Sequence, residues 1–237
     1  MAAADHTCSS ATEFMDLLNV EIHAHPFFSD PFVQRISTPG GVSRAQGRRF
    51  ALLYYPHIFR TRLYQASTLG ICPDETVQYV LADIVYDEYG EGDIAKTHPA
   101  VYRRFLHALD VPAAEYANAP IFPELQMYID SMMRLSQGGP WLAAAAAVGI
   151  ASEWPIPELY GRFLKGLRTI PGVQEKDLEL FSSHIGIDEH HSKMMRDALM
   201  PYAATAEGQQ QIRAGVKANL DARRVMMSGL HREVFGS

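Results

Sequence analysis

The chain has 237 residues, of which 47% are apolar and 20% charged, and its formal net charge is -6. This composition excludes a disordered chain, and the acidic balance disfavours nucleic-acid binding, which depends on Lys and Arg contacts to phosphates. The longest apolar run, 141–151, is about half the ~20 residues that cross a bilayer, so we expect no membrane span.

The length fits one domain, because a single hydrophobic core persists up to ~250 residues. We predict one helical domain over 1–237, with residues 1–10 as a flexible N-terminus. That terminus lacks the basic start and apolar middle of a secretory signal, so we expect a cytoplasmic protein. The two cysteines, Cys8 and Cys72, are too few for a disulfide framework and lack C-x-x-C spacing.

Apolar residues recur at three- and four-residue spacing along the chain, which predicts an all-α fold. The first helix follows Ser10, where Ser10-Ala11-Thr12-Glu13 has the form of a capping box. Gly70 suits a left-handed cap at the end of the long second helix. The alanines from Ala143 to Ala147 predict a central helix that a neighbouring helix approaches closely. The predicted helices span about 10–25, a short segment from 31, 43–69, 73–90, 98–109, 124–135, 141–153, 157–169, 175–202 and 206–234.

One face of the predicted helix 175–202 carries metal-ligand side chains. His184, Asp188 and His191 are spaced by four and three residues, so they fall within ~60° of one another around the helix axis. His190 lies ~240° from His184 and is expected to point elsewhere.

Other residues of this type lie at the ends of predicted helices. Glu153 ends a strongly apolar helix, where a buried carboxylate needs a positive partner or a metal. Asp87 and Glu88 close the third long helix, and His98 opens the next. Six of these residues, Glu88, His98, Glu153, His184, Asp188 and His191, give three imidazoles and three carboxylates, which suit iron or manganese better than structural zinc. Six ligands suit two metals, and helical bundles build di-iron sites from such side chains on facing helices.

The order of these residues resembles that of the haem-oxygenase-like di-metal oxidases and oxygenases, from about residue 15 to residue 235. The motifs that carry the resemblance are Asp87-Glu88-Tyr89-Gly90, His98, Glu153 and His184-x-x-x-Asp188-x-x-His191. The resemblance implies an all-α, haem-oxygenase-like seven-helix bundle without haem, two bound Fe(II) ions and O2 as co-substrate. It leaves manganese at one of the two positions open. The implied ligands are Glu88 and His184 for one iron, His98, Asp188 and His191 for the other, and Glu153 as the bridge.

Glu91 is the alternative to Glu88 as a ligand. Glu91 lies seven residues before His98 and would share its face on a continuous helix, whereas Glu88 lies ten residues before it. Gly90 and Gly92 make a continuous helix doubtful, and the family's Asp-Glu-x-Gly pattern favours Glu88. Glu91 would then be an additional ligand or would support the ligands.

The resemblance implies oxidation of an external small molecule, namely an amino acid, an amine or a fatty acid, in natural product biosynthesis. Desaturation, carbon–carbon cleavage and decarboxylation are the expected outcomes. N-oxygenation to a hydroxylamine or nitro group is the alternative. Some N-oxygenating members carry an additional carboxylate on the second long helix, and residues 43–70 contain no Asp or Glu.

A further branch of the family forms para-aminobenzoate from its own tyrosine with the help of a lysine. This chain has Phe28 at the tyrosine position and Arg162 near the lysine position. The sequence therefore disfavours chemistry that consumes the protein's own side chain.

Tyr55 and Arg62 are the candidate substrate-binding residues, because they are seven residues apart on the second long helix and so face the same way. An arginine facing the cavity would bind a substrate carboxylate bidentately. An exposed arginine is the simpler alternative for Arg62, and a core or surface histidine is the simpler interpretation of His57. An external electron donor and a homodimer are left open, and neither nucleic acid nor a membrane is an expected partner.

Two other classes of protein compete with the di-iron enzyme. One is a metal-free enzyme of the same fold, either a thiaminase-like hydrolase with a catalytic cysteine or a quinone-forming oxidase. The other is a non-enzymatic helical binding module with a solvated polar face. Neither explains why His184, Asp188 and His191 share one helix face, and Cys72 has no nucleophile motif around it.

Overall fold

The computed structural model describes residues 10–236, and within them all side chains except those of 186–189. The predicted flexible N-terminus therefore lies, apart from Ser10, outside the described residues. Within 10–236 all regular structure is helical, which confirms the all-α prediction. Short 3-10 helices are present at Pro26–Ser29, Ile94–Lys96 and Glu175–Leu178. The α-helices are α1 (Ala11–His23), α2 (Pro31–Ile36), α3 (Arg44–Ile71), α4 (Glu75–Glu88), α5 (His98–Ala108), α6 (Ala113–Tyr116), α7 (Pro123–Gly138), α8 (Trp141–Gly149), α9 (Ile156–Leu167), α10 (Glu179–Ala203) and α11 (Ala206–Phe235).

Two helix ends differ from the sequence prediction. Gly70 does not form a left-handed cap, because α3 continues to Ile71 and ends at Cys72, whose backbone is extended. Cys72 precedes a proline, which disfavours helical backbone at the residue before it. The helix predicted over 141–153 stops at Gly149, and residues 151–155 form turns before α9. Glu153 consequently lies on this turn segment and not on a helix.

The core is built around α8, which packs against α3, α7, α10 and α11. Its alanines are almost entirely buried, as the sequence predicted for Ala143 to Ala147. Gly215 on α11 lies directly against Ala143, where an added Cβ would be 2.7 Å from the carbonyl carbon and closer still to the carbonyl oxygen. This close approach confirms that the small residues let two helix backbones come together.

Replacing Gly215 by alanine is expected to destabilise the protein by about 3 kcal/mol, because the new methyl group overlaps backbone atoms that cannot rotate away. The matched control is Gly161→Ala on α9, where no atom lies within 4 Å of the added Cβ. That change should be neutral or stabilising by up to about 1 kcal/mol through helix propensity. Urea unfolding of the two variants measures both effects, and equal stability would contradict the close packing.

The elements that frame the candidate site are α3, α4, α5, α9, α10 and the turn segment 151–155. α10 packs against α1, α4, α5 and α9, and α4 also packs against α3. Trp154 connects the turn segment 151–155 to α10, because its indole Nε1 donates a hydrogen bond to the Ser192 carbonyl oxygen at 3.2 Å. No helix within residues 10–236 is both long and apolar enough to span a membrane.

Candidate metal centre

Glu88 reaches the protein interior because it continues the apolar stripe of α4. Val77, Leu81, Ile84 and Glu88 are spaced by four, three and four residues, and all four are buried. This spacing places them on one face of the helix. The last turn of α4 thus carries a carboxylate at a position that helix geometry assigns to the core.

Gly90 makes the turn that brings His98 back against Glu88. Its φ of 78° lies in the left-handed region, which L side chains rarely adopt. An added Cβ would also be 2.7 Å from Lys96 C and Thr97 N, and closer to the Asp93 carbonyl oxygen. Thr97 then caps α5 by accepting a hydrogen bond from the Ala100 amide at 3.3 Å. The family-like Asp-Glu-x-Gly motif therefore has a backbone reason for its glycine.

Glu153 is held at the cavity by the turn after α8. Its amide donates to the Ile150 carbonyl at 3.2 Å. Its Oε1 accepts a hydrogen bond from Gln65 Nε2 on α3 at 3.3 Å. The adjacent Ser152 accepts a hydrogen bond from Asn219 on α11 at 3.0 Å. Three elements thus position a buried carboxylate that has no Lys or Arg among its ion pairs in the described residues.

α10 supplies His184 and His191 to the same space. His184 Nδ1 lies 2.5 Å from the Leu180 carbonyl oxygen, which leaves its Nε2 toward the site. His191 is buried, whereas His190 is exposed, as the helix face predicted. The side chain of Asp188 lies outside the described residues, so only its place on the helix between the two histidines is given.

A buried cavity of about 40 Å³ lies between these elements. Five of the six predicted metal ligands line it: Glu88, His98, Glu153, His184 and His191. Apolar side chains close it, namely Ile58, Ile84, Ile156 and Leu180. The remaining lining residues are His57, Thr61, Asp87, Ser152, Tyr160 and Arg223.

The donor atoms lie close together in pairs. His98 Nδ1 is 2.8 Å from Glu88 Oε2, and His98 Nε2 is 3.2 Å from Asp87 Oδ2. His191 Nδ1 is 3.9 Å from Glu153 Oε2. The rings of His98 and His184 are 4.4 Å apart between centroids. Both imidazole-bearing helices therefore meet at the carboxylates of α4 and of the turn segment.

Burial and mutual charge shift the protonation of these groups. Burial raises the pKa of Glu153 well above its usual range, and the Glu88 carboxylate adds to the effect. Burial opposes the charge on His98, but Glu88 and Asp87 outweigh it and raise the pKa of His98 to about 10. Burial lowers the pKa of both His184 and His191. Burial thus favours the neutral form of His184 and His191, which is the form that binds metals.

These groups fit a metal by their chemistry. Two donors bound to one metal at ~2.1 Å lie at most ~4.2 Å apart, and the His191–Glu153 pair, at 3.9 Å, falls within this limit. Glu88 Oε2 is buried without a hydrogen bond of normal geometry, although His98 Nδ1 is near. Among the described side chains, no three such groups already surround one point as metal ligands, and Asp188 is not part of that set. The donor atoms thus lie in buried pairs. A bound cation would relieve the repulsion between the Glu88 and Glu153 carboxylates.

The structure separates Glu88 from its alternative, Glu91. Glu91 is exposed and has a positive φ of 52°, and its carbonyl accepts a hydrogen bond from the Tyr86 hydroxyl at 2.9 Å. It does not line the cavity. The glycine-containing turn breaks the helix, as the sequence indicated, so the seven-residue spacing to His98 has no structural meaning.

Tyr55 and Arg62, the predicted substrate-binding pair, do not line the cavity. The Tyr55 hydroxyl accepts a hydrogen bond from Arg103 at 3.2 Å and faces a separate surface cleft. The Arg62 guanidinium lies between the rings of Phe59 and Tyr89, at 4.5 and 4.9 Å from their centroids. The two residues share a helix face, but their side chains contact other groups away from the cavity. His57, Ile58 and Thr61 are the α3 residues that line it.

Three residues at or beside the cavity escaped the sequence analysis. Asp83 Oδ2 lies 3.7 Å from His191 Nε2, one helical turn before Asp87 on α4. Gln65 contacts Glu153 as described, and Arg223 reaches the cavity from α11. A signal existed for Arg223, since it occupies a core position in a regular stripe of α11. The stripe consists of Val216, Leu220, Arg223, Met227, Leu230 and Val234, with spacings of four and three residues.

Cys72 lies away from the cavity. It is buried, its Sγ lies 3.6 Å from the Asp74 carbonyl oxygen, and burial raises the pKa of its thiol. A raised pKa disfavours the nucleophilic thiolate. Cys8 lies outside the described residues. The part of the chain that the structure describes thus offers no support for a cysteine-dependent hydrolase.

Comparison with known proteins connects this site to a family. Residues 48–224 match the family model described as iron-containing redox enzyme. The chain belongs to this family. Its members supply the expectation of iron, which the mixed imidazole and carboxylate donors also suit.

Individual relatives agree with the family and the fold. A 4-aminobenzoate synthase of Nitrosomonas europaea is 26% identical over 218 residues, which cover 87% of this chain and 84% of that protein. A solved domain of unknown function with a heme oxygenase-like fold, from Shewanella denitrificans, aligns with a TM-score of 0.72 at 14% identity, over 95% and 94% of the two chains. A TenA homologue from Pseudomonas syringae aligns with a TM-score of 0.70 at 13% identity, over 94% and 91%. The predicted haem-oxygenase-like helical fold is thereby confirmed.

Proposed function

We propose that this iron-containing redox enzyme is a non-haem di-iron oxidase or oxygenase that uses O2 to oxidise a small metabolite. One observation carries the proposal: Glu88, His98, Glu153, His184 and His191 come from four separate chain segments and line one cavity. Such a convergence of carboxylates and imidazoles in an apolar interior is costly unless a cation balances it.

The proposed ligands are Glu88 and His184 for one iron, His98, Asp188 and His191 for the other, and Glu153 between them. Bound iron would supply the activation of O2, which no side chain of the protein performs. Asp87 and Asp83 lie within 4 Å of His98 and His191 and would orient their rings, as carboxylates beside metal-bound histidines commonly do. Gln65 holds one oxygen of Glu153.

The small volume of the cavity and its four apolar lining residues would limit the access of bulk water and help to orient the reacting bond of the substrate. Isoleucines and a leucine occupy the walls between the polar groups. A dry environment strengthens each electrostatic contact and limits side reactions. The protein would thus position the substrate, limit its contact with water and supply charged groups, as is usual where a cofactor performs the redox step.

The structure favours oxidation at carbon over N-oxygenation. The face of α3 that borders the site carries His57, Thr61 and Gln65 and no carboxylate. Glu91, the other candidate for an additional ligand, is exposed. The additional carboxylate of some N-oxygenating members therefore has no counterpart on α3, the second long helix.

The name of the Nitrosomonas relative raises the formation of 4-aminobenzoate as the reaction to test against this proposal. Phe28, which stands at the expected tyrosine position, lies 5.2 Å from the Arg162 guanidinium, and neither residue lines the cavity. Among the described residues, Tyr160 is the tyrosine that lines the cavity. Intact-protein mass spectrometry before and after reaction with O2 separates the two reactions, because a consumed side chain changes the mass of the chain and an external substrate does not.

The proposal predicts about two irons per chain after anaerobic loading with Fe(II), measured by elemental analysis of the desalted protein. Mixing with O2 in a stopped-flow instrument should then give a transient visible band. Compounds from a panel of amino acids, amines and fatty acids that accelerate this change indicate the substrate. Iron at background level would overturn the proposal and leave a metal-free enzyme or a binding module.

A further inference from the structure

Arg223 is a buried cation at the cavity, and it forms no ion pair with the described side chains. Arg223 is 3% exposed, and its Nε and Nη1 atoms are buried without hydrogen-bond partners. Among the described side chains, no carboxylate oxygen lies within 4.0 Å of the guanidinium. Burying an unpaired charge is among the most destabilising arrangements in a protein. A side chain kept in this state points to a ligand that completes it.

The guanidinium is charged despite its burial. Burial opposes the charge, but the neighbouring Tyr128 and Tyr54 hydroxyls outweigh it and raise the pKa of Arg223. His57, which also lines the cavity, is neutral because burial lowers its pKa to about 3, and Arg223 adds to this effect. His57 Nδ1 has no hydrogen-bond partner either. This part of the cavity therefore offers one positive charge and unused polar atoms, with aromatic rings around them.

We propose that Arg223 binds the carboxylate of the substrate, and that the substrate is consequently a small monocarboxylic acid. The inference rests on the proposed function, in that Arg223 lines the same cavity as the candidate iron ligands. One guanidinium without an ion pair among the described side chains matches a single negative charge. A phosphate dianion would remain half unpaired, and an amine would be repelled.

Arg223 takes the role in binding a substrate carboxylate that was predicted for Arg62. Arg62 stacks between two aromatic rings away from the cavity, whereas Arg223 lies at its wall. Carboxylate binding at Arg223 would place the rest of the molecule toward Glu153 and the histidines of α10, which share the cavity. Arginine suits this task because it stays charged when buried and presents several donors to a planar anion.

The test compares Arg223→Met and Arg223→Lys with Arg224→Met, a matched control at the exposed neighbouring position of α11. The probes are butyrate and benzoate against butyramide and benzamide, which have similar shapes and no charge. Thermal shift and isothermal titration calorimetry measure their binding to the full chain, both iron-free and loaded with Fe(II). The iron-free protein decides the outcome, because carboxylates also bind iron directly.

The wild-type chain and the Arg224→Met variant should bind the carboxylates and not the amides. Arg223→Met should weaken carboxylate binding by roughly 30-fold or more, and Arg223→Lys should be intermediate because it keeps the charge. Without ligand, Arg223→Met should raise the Tm by about 2–4 °C, because the unpaired buried charge is gone. A purely structural arginine would instead lower the Tm on replacement.

The proposal is overturned if the wild-type chain binds no carboxylate in preference to its amide, or if Arg223→Met binds carboxylates as the wild type does. Iron content separates this result from the proposed function. Iron in Arg223→Met should equal that of the wild type, since Arg223 is not a proposed ligand. Absence of iron from the wild-type chain would remove the di-iron proposal and leave the carboxylate measurement on iron-free protein valid.

Discussion

Replacing His191 by alanine is expected to remove one of the two proposed irons and to lower the proposed O2-dependent turnover more than about 100-fold. The imidazole is buried at the cavity, 3.9 Å from Glu153, and burial keeps it neutral and ready to bind a metal. Losing a residue that merely supports a metal ligand commonly costs 10–100-fold, so losing a ligand should cost more. Elemental analysis and stopped-flow absorbance after Fe(II) loading measure the two effects.

The matched control is the adjacent His190→Ala. His190 is exposed on the same helix and does not line the cavity. It should retain both irons and the O2-dependent absorbance change of the wild type. Equal iron content in the two variants would remove His191 from the ligand set, and with it the helix-face assignment of His184 and Asp188.

Replacing Gly90 by alanine is expected to destabilise the protein by about 2–5 kcal/mol and to abolish most iron binding. The positive φ alone costs an L-residue about 1–2 kcal/mol. The added methyl group also overlaps the backbone of Asp93, Lys96 and Thr97, which adds about 1–3 kcal/mol. Relief of that overlap moves the segment that leads into His98, so the imidazole should leave Glu88.

Gly92→Ala separates the effect of backbone strain at a positive φ from the effect of moving the segment that leads into His98. Gly92 also has a positive φ, of 90°, but an added Cβ would meet only the Tyr86 hydroxyl oxygen, at 3.7 Å. This variant should lose about 1–2 kcal/mol of stability and keep its iron. Urea unfolding and iron content are measured on both variants. Normal iron content in Gly90→Ala would show that the turn does not position His98.

Much of the site was predictable because helix geometry is local. The four- and three-residue spacing of His184 and His191 places both side chains at one cavity, and His190 is exposed as expected. Glu88 continues the stripe of buried residues on α4, which identifies it as an inward carboxylate. In each case the periodicity of a single helix was enough, because residues that share a face meet the same neighbours.

The errors in the prediction arose where a property depends on more than one element. Tyr55 and Arg62 do share a face of α3, but the sequence does not say which side chains of α3 border the cavity. Glu153 was predicted at a helix end and lies on a turn, yet it reaches the cavity because Gln65 and Ile150 hold it there. A turn that is fixed by contacts with other helices has no periodic pattern to reveal it.

For Arg223 the sequence indicates burial but not the role of the side chain. Its position in the apolar stripe of α11 marks it as buried, but burial alone does not tell a structural arginine from one that binds a ligand. The distinction appears only when its neighbours are known. They include His57, Tyr54 and Tyr128, and two of the guanidinium nitrogens have no hydrogen-bond partner.

By itself, the sequence determined the all-α class and the inward faces of α4 and α10, and it supplied the set of residues proposed to bind iron. These properties follow from helical periodicity and side-chain chemistry, both of which act within a few residues. The tertiary structure decided which faces meet, that Glu88 and not Glu91 reaches His98, and that Arg223 and not Arg62 borders the cavity. Those outcomes depend on how helices far apart in the chain pack together, as at the contact of Gly215 with Ala143, and local patterns carry no information on such packing.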